Sequence, residues 1–264
     1  MKAQIRAPLE GPWRAVSSRV MASQNGTALD SGTLRREPVR HNDSLADRVG
    51  QAYKRALSDT LAAAASAAAL LREQVSDAHA GQAGSIEEAV ERAQQMLADF
   101  VDFVQVEMRG GIQVTRRRFD LRLMCERVLD ALQRRHPDLS VELTRGPRIE
   151  GQWDPARMEM LLSKLVVNAY EHGAGGRGVR VRLEALPEHA IIEVWNSGPV
   201  LDEVLMRRLF EPFVCGPSAR SQGLKGLGLG LYLSRAIARA HGGRIEVGSD
   251  KHSGTTFRTT LPLE

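Results

Sequence analysis

Apolar residues in the first half of the chain recur at helical spacing. Leu57, Leu61, Ala64, Ala68, Leu71 and Val75 are separated alternately by four and three residues, which puts them on one face of a helix. A second stripe runs through Ile86, Val90, Ala93, Leu97, Phe100, Val104 and Met108. Between the two, Ser76–Ser85 is rich in small residues and glycine and reads as a turn. Ser85 and Glu88 then form a capping box at the start of the second helix. Residues 42–110 are therefore expected to form a helical hairpin. Two stripes of this length are hard to bury within one hairpin, whereas two hairpins paired as a four-helix bundle bury both. The expected state is a homodimer joined through this domain. Ahead of it, residues 1–41 mix Gly, Ser, Pro, Arg and Asn with no sustained period, the composition of a disordered arm.

From Gly111 onward the pattern becomes mixed. Helical periods are expected at Leu121–Arg135, Pro155–His172 and Leu231–His241. Strand-like segments are expected at Ser140–Leu143, Arg148–Trp153, Val179–Ala185, Ala190–Trp195, Arg244–Gly248 and Thr255–Leu261. Because the last strands follow one another directly, residues 111–264 fit an α/β sandwich with a mixed sheet better than a doubly wound parallel sheet. The class for the whole chain is α+β, a helical dimerisation domain followed by that sandwich.

Composition narrows the function classes. The chain has 264 residues, 42% hydrophobic and 26% charged, which suits one or two soluble domains. Leu61–Leu71 is too short and too alanine-rich to span a bilayer, and no secretory signal pattern opens the chain. A pI of about 9.4 invites a nucleic-acid reading. However, the net charge is only +4, and Arg116, Arg117 and Arg118 form the sole tight basic run, with few aromatics nearby. A solvated basic face fits that better. Cys125 and Cys215 lack metal-ligand spacing, as expected for reduced structural thiols in a cytoplasmic protein.

Candidate chemistry lies in the second half. Gly223–Gly230 reads GLKGLGLG and leads directly into a helical segment, with Gly226, Gly228 and Gly230 alternating. Glycine admits positive φ and lets a ligand approach the backbone. A glycine-rich turn that opens a helix also aims free N–H groups and the positive end of the helix dipole at one point, which suits a phosphate. Four further segments stand in a fixed order around it: DPARMEMLLSKLVVNAYEHG (Asp154–Gly173), IIEVWNSGPVL (Ile191–Leu201), RRLFEPFV (Arg207–Val214) and SGTTFRTTLPL (Ser253–Leu263). Together the five segments resemble the N box, G1 box, F box, G2 box and closing strand of the ATP-binding domain of two-component sensor histidine kinases, within the wider GHKL ATPase superfamily. The resemblance covers roughly Arg118 to Glu264.

That resemblance implies ATP and Mg²⁺ as ligands, and it implies roles for particular residues. Asn168 would offer an amide oxygen to Mg²⁺, a hard cation that usually shares its oxygen ligands with nucleotide phosphates. His172 matches a position where a ring lies near adenine. Asn196 stands where an aspartate usually accepts a hydrogen bond from the adenine amino group, and an amide oxygen can accept the same bond. Gly198 would let the backbone approach the base, while Val200 replaces the usual second glycine. Phe210 and Phe213 look like the F box under a mobile lid, Cys215–Lys225, in which Arg220 and Lys225 could meet phosphates. Gly226, Gly228 and Gly230 would cradle the phosphates, and Thr255 matches a hydroxyl near adenine.

Two departures qualify the function. Lys164 lies one helical turn before Asn168, where the family usually carries asparagine and ATPase relatives a water-activating glutamate. A lysine can clamp phosphate but cannot act as that base at neutral pH, so fast ATP hydrolysis is not expected. In the first helix, RALSDTL (Arg55–Leu61) best matches the family's phosphoacceptor segment, with Arg55 in place of the histidine, Ala56 of the acid and Thr60 of the proline. No histidine occurs from Asn42 through Ala78. His41 and His79 flank the first helix and are poorly placed as acceptors, and a guanidinium is no nucleophile. No catalytic residue is assigned. The expectation is a histidine-kinase-family signalling protein that binds Mg-ATP without self-phosphorylation of the usual kind and works with a response regulator or a partner kinase. The alternatives are a non-enzymatic dimeric scaffold that docks a response regulator, and an anti-sigma type serine kinase, against which the long hairpin argues.

Overall fold

The computed structural model describes residues 77–264 apart from 145, 174–177, 217–226 and 252. The first predicted helix, the disordered arm and the Arg55–Leu61 segment lie outside the described residues. A long helix, α1 (Asp77–Arg109), leads into the α/β part. There the order is β1 (Arg117–Asp120), α2 (Leu121–Arg135), β2 (Val141–Thr144), β3 (Glu150–Trp153), α3 (Pro155–His172), β4 (Val179–Ala185) and β5 (His189–Asn196). A short α4 (Glu203–Arg208), then α5 (Gly230–Ala240), β6 (Arg244–Asp250) and β7 (Gly254–Pro262) complete it.

One expectation fails at the start. Residues 77–85 are helical, so the predicted turn over Ser76–Ser85 is absent across that span, and Ser85 lies inside α1 rather than capping it. The glycines at 81 and 84 had suggested a break. Each costs only about 1 kcal/mol relative to alanine within a helix, and the surrounding alanine, glutamine and glutamate residues favour helix strongly enough to carry the chain through. His79 accordingly lies on α1.

The sheet order is β2-β4-β5-β7-β6, with β2 and β4 parallel and every other pair antiparallel. This is the expected mixed sheet. β1 and β3 form a separate antiparallel pair. β1 went unpredicted because its four residues, Arg117–Asp120, read as a basic run rather than a strand.

Helix starts follow local chemistry. Asp120 caps α2 by accepting from Arg122 N at 2.9 Å, and its other oxygen meets Arg148 Nε at 3.1 Å. Asp154 caps α3 by accepting from Arg157 N at 3.1 Å, with Pro155 in the first turn, where its missing N–H costs nothing. One face of α3 carries Met158, Leu161, Leu162, Leu165, Val166 and Ala169, all at 0% exposure. These pack against the sheet face made by Val181, Leu183, Ile192, Val194 and Phe257, with α2 and α5 alongside. Trp153, also fully buried, donates from Nε1 to Pro262 O at 2.8 Å and ties β3 to the end of β7.

A second tie joins the start of α3 to the end of α5. His241 is buried, and its Nε2 accepts from Asp154 N at 2.9 Å. The ring proton therefore sits on Nδ1, which donates to Ile237 O at 2.8 Å. Burial holds the His241 pKa below its ordinary value of 6.5, and the charge of Arg116 adds to the shift. Asp154 is itself held below the usual carboxylate value: its burial acts the other way but is outweighed by the N–H groups of Thr115 and Arg157. Since the folded state binds the His241 proton more weakly than the unfolded chain, this contribution to stability is full above about pH 6.5 and is lost as the pH falls below it toward the depressed folded value. Thermal unfolding is expected to move to lower temperature between about pH 7.5 and 5.5. His241→Leu should cost about 1–3 kcal/mol at the upper pH by leaving Asp154 N–H unpaired, and should flatten the dependence.

Candidate nucleotide site

Side chains along a strand alternate between faces. In β5, Ala190, Ile192 and Val194 belong to the helix-covered core, so Asn196 at the strand end shares that side. β7 runs beside it with Thr255 opposite Asn196 and Phe257 opposite Val194. Asn196 and Thr255 are both buried. On the other flank of β7, Ser249 of β6 stands opposite Thr255, and their hydroxyls lie 2.8 Å apart. Ser249 Oγ also accepts from Leu201 N at 3.1 Å, which anchors the segment following Asn196. A compact polar group thus forms where three strands end beneath the helix layer.

The C-terminal end of α3 closes this group. A Cβ added at Gly198 would lie 2.4 Å from His172 O and 2.7 Å from the Asn196 amide nitrogen. Only glycine lets the chain after β5 pass so close to α3. His172 itself is exposed, and Asn168, one turn earlier, is half-buried. The structure therefore brings together His172, Asn196, Gly198 and Thr255, which come from three of the sequence segments. Ser249 was missed. It has no motif of its own, and only the cross-strand register places it at the site.

The glycine-rich segment is described from Leu227 onward, so Lys225, Gly226 and Arg220 lie outside the described residues. Gly228 has φ of +67°, and its carbonyl accepts from Phe213 N at 3.2 Å. A Cβ there would meet Val214 O at 2.8 Å and Cys215 Sγ at 2.9 Å. Gly230 opens α5, and a Cβ on it would meet nothing. Leu229 occupies the cap position of this helix and makes no side-chain cap hydrogen bond. A helix start without a cap from its own N-cap side chain offers its first-turn N–H groups to other acceptors, an arrangement suited to anions.

The two F-box phenylalanines part company. Phe210 is a core residue, edge-on to Phe257 with ring centroids 6.4 Å apart. Phe213 is exposed, has φ of +62°, and lies edge-on to Phe103 of α1 at 5.0 Å. Phe103 also meets Tyr232 of α5 at 5.6 Å. Burial, reinforced by Glu107, pushes the Tyr232 hydroxyl up to about 12, and it donates to Glu107 at 2.5 Å.

α1 therefore docks on the α/β part through a face offset from its predicted stripe. Asp99, Asp102, Phe103 and Val106 follow helical spacing, and Val106 is buried with Leu229 and Leu233. Ile86, Phe100 and Met108 of the predicted stripe remain exposed. The second face was legible in the spacing but was masked by its two aspartates. Lys164, whose side chain is only 8% exposed, pairs with Asp99 at 2.5 Å, and Arg157 pairs with Asp102 at 3.2 Å.

A cavity of about 690 Å³ opens on the opposite face of the sheet, around Trp195, Arg180, Glu142 and Lys251. It includes Gly198 but neither Asn196 nor Thr255, as strand alternation requires, and Asn168 of α3 does not line it. Arg180 stacks 3.7 Å above the Trp195 ring there.

Comparison with known proteins bears on the family and the fold. The Histidine kinase-, DNA gyrase B-, and HSP90-like ATPase family matches residues 153–264. A bacteriophytochrome of Pseudomonas aeruginosa is 30% identical over 172 residues, covering 65% of this chain and 24% of its own length. The sensor protein CutS of Streptomyces coelicolor is 33% identical over 153 residues, covering 57% of this chain and 37% of its own length. The chain thus spans well under half of either relative. Among solved structures, full-length ShkA in complex with AMPPNP superposes with a TM-score of 0.62 at 19% identity, covering 84% of this chain and 46% of that one. The Acinetobacter baumannii histidine kinase AdeS gives 0.55 at 22% identity, covering 72% and 86%. At these identities the two structures speak for the fold. Residues 153–264 thus match the Histidine kinase-, DNA gyrase B-, and HSP90-like ATPase family, in line with the resemblance carried by the motif order.

The two described loop glycines should respond differently to substitution. Gly228→Ala is expected to cost at least about 1–2 kcal/mol from its positive φ, read as a lower unfolding temperature. Gly230→Ala should not lower that temperature, since among the described residues nothing opposes the added methyl group.

Proposed function

We propose that residues 111–264 bind Mg-ATP and that the chain acts in two-component signalling without phosphorylating a histidine of its own in the usual position. The observation that carries the nucleotide reading is the convergence of Asn196, Thr255, His172 and Gly198 at one end of the sheet, with the uncapped start of α5 on the neighbouring helix layer. Asn196 and Thr255 supply a hydrogen-bonding wall for a purine amino group. Gly228, Gly230 and the first N–H groups of α5 supply a cradle for phosphates, and the resemblance adds Lys225 and Gly226, which lie outside the described residues, as further candidates. Phe213 marks the edge of the site nearest α1.

The donor chemistry fits magnesium in one specific way. Among the described residues no group of three or more His, Cys, Asp or Glu side chains is arranged to hold a metal. A cation here would therefore take its ligands from phosphates, water and the Asn168 amide oxygen, the mixed oxygen set that Mg²⁺ accepts. When bound, it would neutralise phosphate charge. Asn168 would orient it, and the N-terminus of α5 would hold the phosphates. No carboxylate stands at position 164 to activate water, which speaks for retention of ATP rather than rapid hydrolysis.

The acceptor half rests on sequence alone, with Arg55 where the family's histidine stands. We therefore assign the chain a role as a partner or regulatory member of a kinase pair. It would dimerise through residues 42–110 and communicate with a response regulator or a second kinase. Among the described residues no helix is long and apolar enough to cross a membrane. ATP use and free thiols suit a cytoplasmic setting: burial pushes Cys125 up to about 12, so it is chemically quiet.

The test is incubation with γ-labelled ATP and Mg²⁺ alongside equilibrium nucleotide binding. Binding without covalent label is expected. Acid-labile, base-stable label would show a phosphohistidine and overturn the acceptor reading. Absence of binding would leave the dimeric scaffold. Asn168→Ala should weaken Mg-dependent binding about tenfold or more. Gly230→Ala should weaken it while unfolding normally, which separates a ligand role from a structural one.

A further inference from the structure

The least expected contact in the molecule is the one made by Lys164. It stands one turn before Asn168 on α3, and its ammonium is withdrawn from solvent against Asp99 of α1. A buried cation needs a partner at close range, because desolvation without one costs several kcal/mol. Three carboxylates of α1 lie along this seam: Asp99 on Lys164, Asp102 on Arg157, and Glu107 on Tyr232. The pairs run antiparallel along the two helices, so α1 presents its acidic face to α3 and then to the third residue of α5. Phe103 fills the gap between Phe213 and Tyr232. The helix is therefore fastened beside the start of α5 by groups of the same charge as a triphosphate.

We propose that Lys164 is the exchange point of a latch. Paired with Asp99 it holds α1 against the ATP-binding domain, and a nucleotide triphosphate that competes for the same ammonium frees α1. This rests on the nucleotide reading above and adds to it a direction of coupling. Two anions contend for one cation, so the docked helix lowers nucleotide affinity and bound nucleotide lowers docking, each by the same factor. Arg157 and Asp102 lie two turns of α3 further from Asn168 and act as the fixed end of the seam. Loss of the Lys164 pair therefore loosens the Asp99 end of α1 first.

The experiment measures two quantities on the full chain: affinity for a non-hydrolysable ATP analogue with Mg²⁺, and amide hydrogen exchange along 99–107 of α1. In the unaltered protein the analogue should raise exchange in that segment. Asp99→Asn keeps an acceptor oxygen but removes the charge. It should raise exchange without nucleotide and tighten binding about five- to tenfold. Lys164→Gln should abolish the gain, so that D99N/K164Q binds no better than K164Q alone. Unchanged α1 exchange with nucleotide bound would overturn the latch. So would a D99N gain that persists in the K164Q background, since the effect would then be the removal of a nearby negative charge. If no variant binds the analogue while D99N still raises exchange, the nucleotide reading itself fails, and the ion pair is a structural contact only.

Discussion

The structure depends on the burial of α3 along its whole length. Leu161, Leu162, Leu165, Val166 and Ala169 are at 0% exposure, with Met158 beneath them. Fully burying a large apolar side chain contributes about 1.5–3 kcal/mol, so this one face is comparable to the whole net stability of about 5–15 kcal/mol that a domain retains. α3 cannot shift without that loss, and the other parts take their positions from it. Its cap, Asp154, is joined to His241 and to Thr115. Its last turn sets how near the chain after β5 passes, through His172 O and Gly198. Its remaining face carries Arg157 and Lys164 to α1.

Functional groups are placed by this frame through two kinds of contact with different rigidity. At the sheet end, Asn196, Thr255 and Ser249 are held by backbone pairing on both sides of β7, which gives them little freedom. A site for a flat, hydrogen-bonding base benefits from such fixed partners. Along the seam with α1, the contacts are ion pairs and aromatic edges around a small apolar patch of Val106, Leu229 and Leu233. Those contacts depend on charge and can be exchanged for an anion of the right shape. The candidate site and α1 are thus joined by the more changeable of the two.

α1 has two faces with separate uses. Asp99, Asp102, Phe103 and Val106 meet the ATP-binding domain, whereas Ile86, Phe100 and Met108 stay uncovered. A helix that is apolar on one side and mixed on the other can serve a bundle and a docked domain together. This accounts for a stripe that looked like an ordinary bundle seam although the helix has a second set of contacts.

Much of this was legible in the residues themselves. The limits of α2, α3 and β4 follow from periodicity and from the capping aspartates Asp120 and Asp154, because those signals are local. The family followed from five ordered motifs, since each motif is a short run whose chemistry does not depend on distant partners. The continuity of α1 through residues 77–85 was not legible, because glycines there suggest a turn while their actual cost in a helix is small. β1 was hidden in an arginine run, as a two-stranded pair takes its stability from its partner rather than from its own composition. The candidate site could be named from the sequence as a set of residues but not as an arrangement. Nothing local places Ser249 beside Thr255, turns Phe213 to Phe103, or gives Lys164 to Asp99 instead of leaving it to solvent. Those placements depend on strand register and on where one helix lies against another, and both are determined by contacts between residues far apart in the chain.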